Sequence, residues 1–354
     1  MLLHHLSPLQ RLGLAPALLQ SLLTLAQRFS DASVRPARLV TVHRETCVVH
    51  DGAELSCVRV HPQLAGTTLA VGDWVLLVTD AHGAAWLAAR AEPATEIVRR
   101  DADGLRHVVV SNVDVAFIVM GLDGDFNPRR AERYVALVRS GGAGIEPVLV
   151  LTKRDWAGDA VADDEADAMR RRLGIAVEAV NGLDPAAAAK LGRYIAPGQT
   201  AVLLGSSGAG KSTLTNTLVG ASVEDTGAVR AADDRGKHTT THRALYVLPG
   251  GGCIIDTPGV RTLSPDVDAA ALGAAFSDIE ALAAQCRFRD CQHQDEPGCA
   301  VRAGVDPDRL ANWHKLGREL RRDAMTILDR QRQLAEWKAR SRGARERMRL
   351  KRGA

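Results

Sequence analysis

The apolar residues in the first third of the chain occur in short runs, which predict short β-strands after a helical start. Met1–Arg28 is rich in leucine but is interrupted by Pro8 and Pro16, and it predicts an amphipathic helix or an ordered arm. Over residues 37–90 the runs alternate with turn-forming pairs that contain glycine. The runs are Ala37–Val42, Cys47–Val49, Leu55–Val60, Trp74–Val78 and Ala85–Ala89. Five short strands predict an OB-like barrel, although an SH3-like barrel fits almost as well.

From about residue 108 the apolar runs alternate with helical segments, a rhythm typical of a parallel sheet covered by helices. The predicted strands are Val108–Val110, Val113–Met120, Pro147–Leu151, Ile175–Val180, Thr200–Leu204 and Cys253–Asp256. The predicted helices are Arg129–Ser140, Asp163–Leu173, Pro185–Leu191 and Lys211–Leu218. This alternation predicts a central α/β domain.

The strand pattern stops after residue 268, where two helical segments flank a group of cysteines and a histidine. The second helix is predicted to begin near Pro307. Charged residues dominate the last stretch and predict a basic tail that is disordered when unbound. The expected divisions are an N-terminal arm (1–34), a barrel (35–100), an α/β domain (101–268), a helical domain (269–339) and the tail (340–354).

Composition narrows the class of protein. The 354 residues are 46% hydrophobic and 25% charged, which is ordinary for a soluble globular protein and argues against wholesale disorder. No uncharged run reaches the ~18 residues that a membrane-spanning helix needs, and the leucine-rich start lacks the cleavage site of a signal peptide. We therefore expect a cytoplasmic protein with no membrane partner, a monomer by default, whose six cysteines are thiols or metal ligands.

A glycine-rich segment after the strand Thr200–Leu204 fits the phosphate-loop pattern G-x-x-x-x-G-K-S/T completely, and a predicted helix follows it. Glycines let backbone N–H groups curl around phosphates without Cβ clashes. Lys211 can reach the β- and γ-phosphates, and the Ser212 hydroxyl can ligate Mg²⁺. The nucleotide-binding residues expected here are Gly205, Ser206, Ser207, Gly208, Ala209, Gly210, Lys211, Ser212 and Thr213.

The strand Cys253–Asp256 and the turn that follows it, which ends at Gly259, supply the second half of such a site. The Asp256 carboxylate holds the Mg²⁺ shell, usually through water, and the Gly259 N–H is placed to sense the γ-phosphate. We therefore take Lys211, Asp256 and Gly259 as candidate catalytic residues. Ser212 and Asp256 are the candidate magnesium ligands.

A segment that resembles the guanine-specificity motif N/T-K-x-D of GTPases follows the strand Pro147–Leu151. The Asp155 carboxylate can accept from guanine N1–H and the 2-amino group, which adenine does not present. The Lys153 stem lies along the base, whereas Thr152 occupies the position where Asn is commonest and leaves the loop-bracing contact of that residue open. The predicted base-binding residues are Thr152, Lys153, Arg154 and Asp155.

The order of these motifs is unusual. Common GTPases run from the phosphate loop through the switches to the base motif, whereas here the base motif (152–155) precedes the phosphate loop (205–213). The same site forms if the usual chain ends are joined and new ends open elsewhere, because it depends on strand tips and not on chain order. The central domain is therefore predicted to be a circularly permuted GTPase.

A polar segment lies where the first switch of a GTPase belongs, namely Arg235-Gly236-Lys237-His238-Thr239-Thr240-Thr241. One of its threonines can complete Mg²⁺ coordination, although an ordinary surface loop fits the same composition. Val260 stands where many GTPases carry a water-orienting glutamine. His238 is the candidate catalytic residue for that task, and we expect slow intrinsic turnover that a partner raises.

Three cysteines and one histidine form a candidate metal site. Cys286, Cys291, His293 and Cys299 follow the spacing C-x₄-C-x-H-x₅-C. Three thiolates and one imidazole suit tetrahedral Zn²⁺ in a closed structural site, and buried free thiols are the alternative. We expect one structural Zn²⁺ per chain.

Together these motifs resemble the RsgA family of small ribosomal subunit biogenesis GTPases. The features that carry the resemblance are the order TKRD, GSSGAGKST, RGKHTTT and DTPG, the barrel stretch Val71–Trp74, and the Cys/His spacing, over about residues 35–305. The resemblance implies an OB barrel, a permuted GTPase domain and a helical zinc-binding domain. It assigns 152–155 and 205–213 to nucleotide, the four cluster residues to zinc and His238 to catalysis.

The resemblance also implies binding to the 30S subunit and its 16S rRNA late in assembly, with subunit-stimulated hydrolysis of GTP to GDP and phosphate. Composition points independently to RNA, because the chain from Arg309 to Ala354 carries 15 Lys/Arg against 5 Asp/Glu although the net charge is only +3. A solvated helix end would have the same charge. Two other readings stay open, a GTP-dependent switch that acts on a protein partner, and an ATPase or small-molecule kinase, which Asp155 disfavours.

Overall fold

The computed structural model describes residues 6–29, 33–64, 66–80, 82–100, 105–224, 243–259, 264–265 and 267–323. Contacts divide the chain into two compact units, residues 1–267 and 268–354. The first unit begins with two helices that bury Leu9 of the first helix and Leu18 and Leu22 of the second. These helices are α1 (Leu6–Arg11) and α2 (Pro16–Ala26). Pro16 starts α2 in the first helical position, where its missing N–H costs nothing.

Five strands then form a closed barrel in the order β1-β2-β3-β5-β4. They are β1 (Ser33–Val42), β2 (Thr46–His50), β3 (Leu55–Val60), β4 (Trp74–Thr79) and β5 (Ala85–Arg90). β1 closes the barrel against β4, and β3 pairs with β5 in parallel. Alternate side chains of each strand fill the interior, with Leu39, Val49 and Leu87 fully buried. The five strands coincide with the five apolar runs, and this Greek-key barrel order is that of an OB-like barrel.

A small antiparallel sheet of three strands follows the barrel, in the order β14-β6-β7. Its members are β6 (Glu96–Arg100), β7 (Arg106–Ser111) and β14 (Ser264–Pro265). The apolar pattern did not predict β6, because only Ile97 and Val98 of its five residues are apolar and buried.

The largest sheet has six strands in the order β10-β9-β8-β11-β13-β12, and only its edge pair β12/β13 is antiparallel. Its strands are β8 (Val115–Gly121), β9 (Glu146–Thr152), β10 (Ala176–Ala179), β11 (Thr200–Gly205), β12 (Ala244–Val247) and β13 (Cys253–Asp256). The accompanying helices are α3 (Pro128–Ser140), α4 (Arg154–Ala157), α5 (Asp159–Leu173), α6 (Pro185–Gly192) and α7 (Lys211–Val219). Strands β8 and β11 are buried along their whole length, as continuous apolar runs in a parallel sheet require.

The barrel and the six-stranded sheet are joined by a buried arginine. Arg38 on β1 is fully buried and donates to the Thr200 hydroxyl (2.7 Å), to the carbonyl of Asn112 (2.8 Å) and to the carbonyl of Leu12. Thr200 is the first residue of β11. The side chain of Arg38 therefore ties the N-terminal arm and the barrel to the strand that leads into the phosphate loop.

The stretch Val71–Trp74 lies at the same junction. Gly72 has a φ of +97°, and a Cβ there would come within 2.1 Å of the carbonyl oxygen of Ser111, so no other residue fits. The buried Asp73 carboxylate accepts from Arg90 (2.8 and 2.9 Å) and from the Ser111 hydroxyl (2.6 Å). The two contacts with Ser111, which ends β7, connect the barrel to the chain that leaves it, whereas the pair with Arg90 lies within the barrel.

The second unit is helical. Its helices are α8 (Ala269–Ala275), α9 (Ser277–Ala283), α10 (Ala300–Gly304) and α11 (Pro307–Asp323). Phe276, between α8 and α9, is fully buried, and the Arg309 guanidinium lies 4.5 Å from its ring centre. Arg309 also donates to both oxygens of Asp278 (2.7 and 2.8 Å), which fixes α11 against α9. The predicted start at Pro307 matches α11.

Candidate functional site

The phosphate loop joins β11 to α7 at the carboxyl edge of the parallel sheet. Gly208 and Gly210 have φ angles of +78° and +95°, in the left-handed region that favours glycine. A Cβ on Gly205 would lie 2.3 Å from the carbonyl oxygen of Val119 on β8. These glycines let the loop curl closely over the neighbouring strand, with the N-terminus of α7 directed into the curl.

Lys211, at the start of α7, lies inside this loop. Its ammonium donates to the carbonyls of Gly205 (3.1 Å) and Ser206 (2.9 Å). Burial lowers the pKa of Lys211 to about 8, although the Asp256 carboxylate acts in the opposite direction. A buried ammonium held by two carbonyls is well prepared to bind the negative charge of phosphates.

Asp256 ends β13 next to the loop. Burial raises its pKa to about 6, against the attraction of Lys211. Its Oδ2 accepts from the Ser212 hydroxyl (3.2 Å), while its Oδ1 is buried with no hydrogen-bond partner in the part of the chain that the structure describes. A hydroxyl and a carboxylate with a spare buried oxygen are the donors that Mg²⁺ prefers, so Ser212 and Asp256 fit this cation.

The turn after β13 lies against the phosphate loop. A Cβ on Gly259 would come within 2.4 Å of the backbone nitrogen of Ser207. The Thr257 hydroxyl donates to the carbonyl of Leu203 on β11 (2.6 Å). Gly259 therefore reaches the loop only because it lacks a side chain.

The segment 152–155 meets the phosphate loop from the other side. It follows β9, whose carboxyl end lies at the same edge of the sheet as that of β11. The Thr152 hydroxyl donates to the carbonyl of Ala209 (2.6 Å) and lies beside Gly210. Thr152 thus makes the loop-bracing contact that the sequence left open. Asp155 lies in the first turn of α4 and is exposed.

The loop after β10 lies beside both segments. The backbone N–H of Arg154 donates to the carbonyl of Val180 (3.3 Å), and the Thr217 hydroxyl on α7 donates to the carbonyl of Gly182 (2.7 Å). The candidate base segment, the loop at Asn181-Gly182 and the phosphate-loop helix therefore converge, although 152–155 precedes 205–213 in the chain.

The proposed switch lies outside the described residues. It comprises 235–241 and includes His238, and Val260 is likewise outside the described residues, so the assignment of His238 to water positioning stays a prediction.

The four cluster residues of the second unit come together as the spacing predicted. Their ligand atoms, one from each of Cys286, Cys291, His293 and Cys299, all lie within 4.8 Å of one another. His293 Nδ1 lies 3.5 Å from the Cys299 Sγ and 3.7 Å from the Cys286 Sγ, and the two sulfurs are 3.9 Å apart. Tetrahedral bonds of about 2.3 Å to sulfur place neighbouring ligands roughly 3.8 Å apart. The donor set and its spacing therefore fit Zn²⁺.

Local structure holds these ligands in place. Cys299 caps α10 and its sulfur accepts from the backbone N–H of Arg302 (3.4 Å). His293 has a φ of 58°, an uncommon conformation for a non-glycine residue, and its carbonyl oxygen lies 3.3 Å from the His314 Nε2 on α11. The strained backbone at His293 directs its ring at the three sulfurs.

Two aspartates that the sequence interpretation did not single out lie between the nucleotide motifs. Asp123 and Asp125 follow β8, the strand between β9 and β11. Asp123 pairs with Lys153, and Asp125 accepts from the Ser206 hydroxyl (2.5 Å). The signal that would have found them is positional, since a loop at the carboxyl end of the intervening strand must border both motifs.

Comparison with known proteins gives consistent matches. A family model described as RsgA GTPase matches residues 91–265. Proteins called small ribosomal subunit biogenesis GTPase RsgA from Xanthomonas campestris pv. campestris and Xanthomonas axonopodis pv. citri are 49% and 48% identical, over 300 and 304 residues. The aligned parts cover 79% of this chain and 79% of the first relative, and 80% of each for the second.

Two solved structures share the fold. The crystal structure of YjeQ from Thermotoga maritima matches with a TM-score of 0.59 at 22% identity, covering 81% of this chain and 99% of that one. The structure of YloQ, described as a circularly permuted GTPase, matches with a TM-score of 0.58 at 22% identity, covering 83% and 98%. The predicted fold class, a barrel followed by a phosphate-loop α/β domain and a helical Cys/His region, is confirmed.

Among the residues that the structure describes, no helix has both the length and the apolar character needed to cross a bilayer.

Proposed function

The chain belongs to the RsgA GTPase family and is a GTP hydrolase, and on that premise we propose that it binds the 30S ribosomal subunit and assists its late maturation. Hydrolysis of GTP to GDP and phosphate is faster on the subunit than in solution. The observation that carries this proposal is the 49% identity over 300 residues to proteins named for small-subunit biogenesis. The meeting of Thr152 with the phosphate loop supports the same function from the geometry.

In this proposal the chain's residues bind and orient GTP for attack by water on the γ-phosphorus. Backbone N–H groups of 205–213 surround the β- and γ-phosphates, and Lys211 neutralises the charge that develops on the β–γ bridging oxygen as that bond breaks. Asp155 selects guanine through N1–H and the 2-amino group. Gly259 contacts the phosphate loop at Ser207, so its N–H is close to where the γ-phosphate belongs.

Magnesium would be held by Ser212 and Asp256, and when bound it neutralises phosphate charge. The attacking water needs a group to orient it, and His238 is our candidate, because Val260 cannot do so. A single Zn²⁺ held by the four cluster residues would keep the helical unit folded and takes no part in the hydrolysis.

The proposed partner is the 16S rRNA of the 30S subunit, bound by a monomer in the cytoplasm. The basic stretch from Arg309 onward supports an electrostatic grip on phosphates. Most of that stretch, including the tail 340–354, lies outside the described residues. Truncation after Arg340 should weaken subunit binding and reduce its dependence on salt.

The test is phosphate release from GTP by the full chain, with and without purified 30S subunits. We expect stimulation of an order of magnitude or more by 30S subunits, none by 50S subunits and no turnover of ATP in either case. His238→Ala should lose most of the stimulated rate while binding GTP normally. Absence of 30S stimulation would contradict the proposal, and stimulation by a protein alone would favour the regulatory switch instead.

A further inference from the structure

The loop between β8 and α3, residues 122–127, contacts both nucleotide motifs. It leaves β8 at Gly121 and ends at Asn127, which caps α3 by accepting from the N–H of Arg130 (3.2 Å). The backbone N–H of Leu122 donates to the carbonyl of Thr152 (3.0 Å). The loop thus starts beside the candidate base segment and runs towards the phosphate loop.

On the base side, Asp123 determines where the Lys153 side chain lies. Lys153 has a φ of 61°, a conformation that costs a lysine roughly 1–2 kcal/mol. A Cβ on Gly121 would lie 3.2 Å from the Cδ and Cε of Lys153, so the stem crosses this glycine closely before the ammonium pairs with Asp123 Oδ2. Both groups are largely shielded from solvent, with 17% and 24% of the side chains exposed. The ion pair therefore has a defined geometry.

On the phosphate side, Asp125 holds Ser206. Its Oδ2 accepts from the Ser206 hydroxyl (2.5 Å) and from Arg130 Nη1 (2.6 Å). The same Nη1 is 3.3 Å from the Ser206 hydroxyl oxygen, so the side chains of Asp125, Arg130 and Ser206 all contact one another. The carbonyl of Ser206 in turn accepts from Lys211 Nζ (2.9 Å). Asp125 consequently fixes Ser206, whose carbonyl oxygen accepts a hydrogen bond from Lys211, the candidate phosphate-binding lysine.

The two sides are linked through Asp123 itself. Its Oδ1 accepts from the backbone N–H of Asp125 (3.0 Å), while its Oδ2 pairs with Lys153. Hydrogen bonds therefore run without a gap from Lys153 through Asp123 and Asp125 to Ser206, a chain that we call the acidic relay. Charge-assisted bonds of this kind are the stronger class of hydrogen bonds and polarise one another.

We propose that the acidic relay positions the base motif and the phosphate loop on each other, with Asp123 and Asp125 as positioning residues for guanine-nucleotide binding. The inference rests on the proposed assignment of 152–155 and 205–213 to nucleotide. It predicts that the two motifs are energetically coupled, so that loosening one weakens binding at the other.

The test is a double-mutant cycle between Asp123 and Ser206, which the relay joins only through Asp125. Binding of a fluorescent GDP analogue to the full chain is the measurement. Asp123→Ala and Ser206→Ala should each weaken binding about 5- to 20-fold. The combined variant should be no more than about twofold weaker than the weaker single variant, because either change opens the same relay. A combined loss equal to the product of the single losses would overturn the relay, as would wild-type affinity of both single variants.

Asp123→Asn separates the two tasks of that side chain. The amide oxygen still accepts from the N–H of Asp125, whereas the ion pair with Lys153 is lost, so the loss of affinity should be smaller than for Asp123→Ala. The melting temperature of the nucleotide-free protein should stay unchanged in both variants. Equal losses for Asn and Ala, or losses that merely follow a lowered melting temperature, would count against positioning.

Two controls separate this inference from the proposed function. Asp167→Asn breaks an exposed ion pair with Arg170 on α5 and should bind the analogue as the wild type does. Lys211→Ala should abolish binding. If Lys211→Ala still binds, the nucleotide site is misassigned and the relay falls with it. If it does not bind while the relay variants keep wild-type affinity, the relay alone is wrong.

Discussion

The nucleotide site and the Cys/His cluster are built in opposite ways. Residues of the first come from three separate segments, 152–155, 205–213 and 256–259, which meet only because β9, β11 and β13 lie in one parallel sheet. The second lies within residues 286–299, where His293 and Cys299 are the buried residues. The fold brings the residues of the first site together, whereas a bound metal would help to fold the segment 286–299, whose only buried residues are two of the candidate ligands.

Electrostatics separates the two regions as well. In the nucleotide site, burial works against both charged groups, lowering the pKa of Lys211 and raising that of Asp256. The surrounding sheet must supply the free energy that keeps them there. In the cluster, thiolates are favoured by the cation that they would bind, so the site itself stabilises the unit.

Removal of zinc should have the largest effect. Chelation, or Cys299→Ser, should unfold residues 268–323, because a structural zinc site contributes on the order of 10 kcal/mol to folding. Hydrogen exchange is the measurement, with elemental analysis to count the metal. Protection in 33–224 and affinity for GDP should persist. Cys57→Ser, at an exposed cysteine of the barrel, is the matched control and should change nothing. If residues 268–323 stay fully protected from exchange after chelation, zinc is not needed to fold this unit.

Arg38→Met tests the first unit, in which the nucleotide site depends on the fold. The change leaves the buried hydroxyl of Thr200 and the partly buried carbonyl of Asn112 without the Arg38 donor, and it should lower the free energy of unfolding by about 3 kcal/mol. Urea denaturation followed by tryptophan fluorescence measures the loss. Zinc content should not change. As a control, Arg35→Met removes a partly exposed ion pair with Asp51 and should cost less than about 1 kcal/mol. If it costs as much as Arg38→Met, the buried contacts of Arg38 do not specially stabilise the packing of the barrel on the six-stranded sheet.

Lys211→Met tests the electrostatic contrast through pH. A lysine whose folded pKa is lowered contributes stability that is present above its ordinary pKa of 10.5 and is lost as pH falls through about 8. Without nucleotide and Mg²⁺, the wild type should therefore gain roughly 2 kcal/mol relative to the variant between pH 7 and pH 9.5. Denaturation midpoints across this range are the measurement. Lys190→Met, at a partly exposed lysine, is the control. If the stability of the wild type and of Lys211→Met depends on pH in the same way, the pKa of Lys211 is not lowered by its burial.

The same contrast explains what could be predicted from sequence. The phosphate loop and the zinc ligands were found because their chemistry needs fixed residue types at short spacing, so each motif is local. Arg38 carries no such signal, since arginine is mostly exposed and its burial depends on partners 26 to 162 residues away. Asp123 and Asp125 are ordinary loop residues until the strand order places β8 between β9 and β11. Strand β6 was missed because it is short and mostly charged at its ends.

Thr152→Val should have the smallest effect and is the most direct test of how the distant segments meet. Valine keeps the shape of threonine but cannot donate to the carbonyl of Ala209, which is 2.6 Å away in the wild type. Loss of one hydrogen bond at a buried position corresponds to about 1 kcal/mol, so affinity for GDP should fall about fivefold. Thr152→Ser retains the hydroxyl and should bind nearly as the wild type does. If Val and Ser bind GDP equally well, the bond to Ala209 does not hold the phosphate loop, and the sheet alone brings the two motifs together.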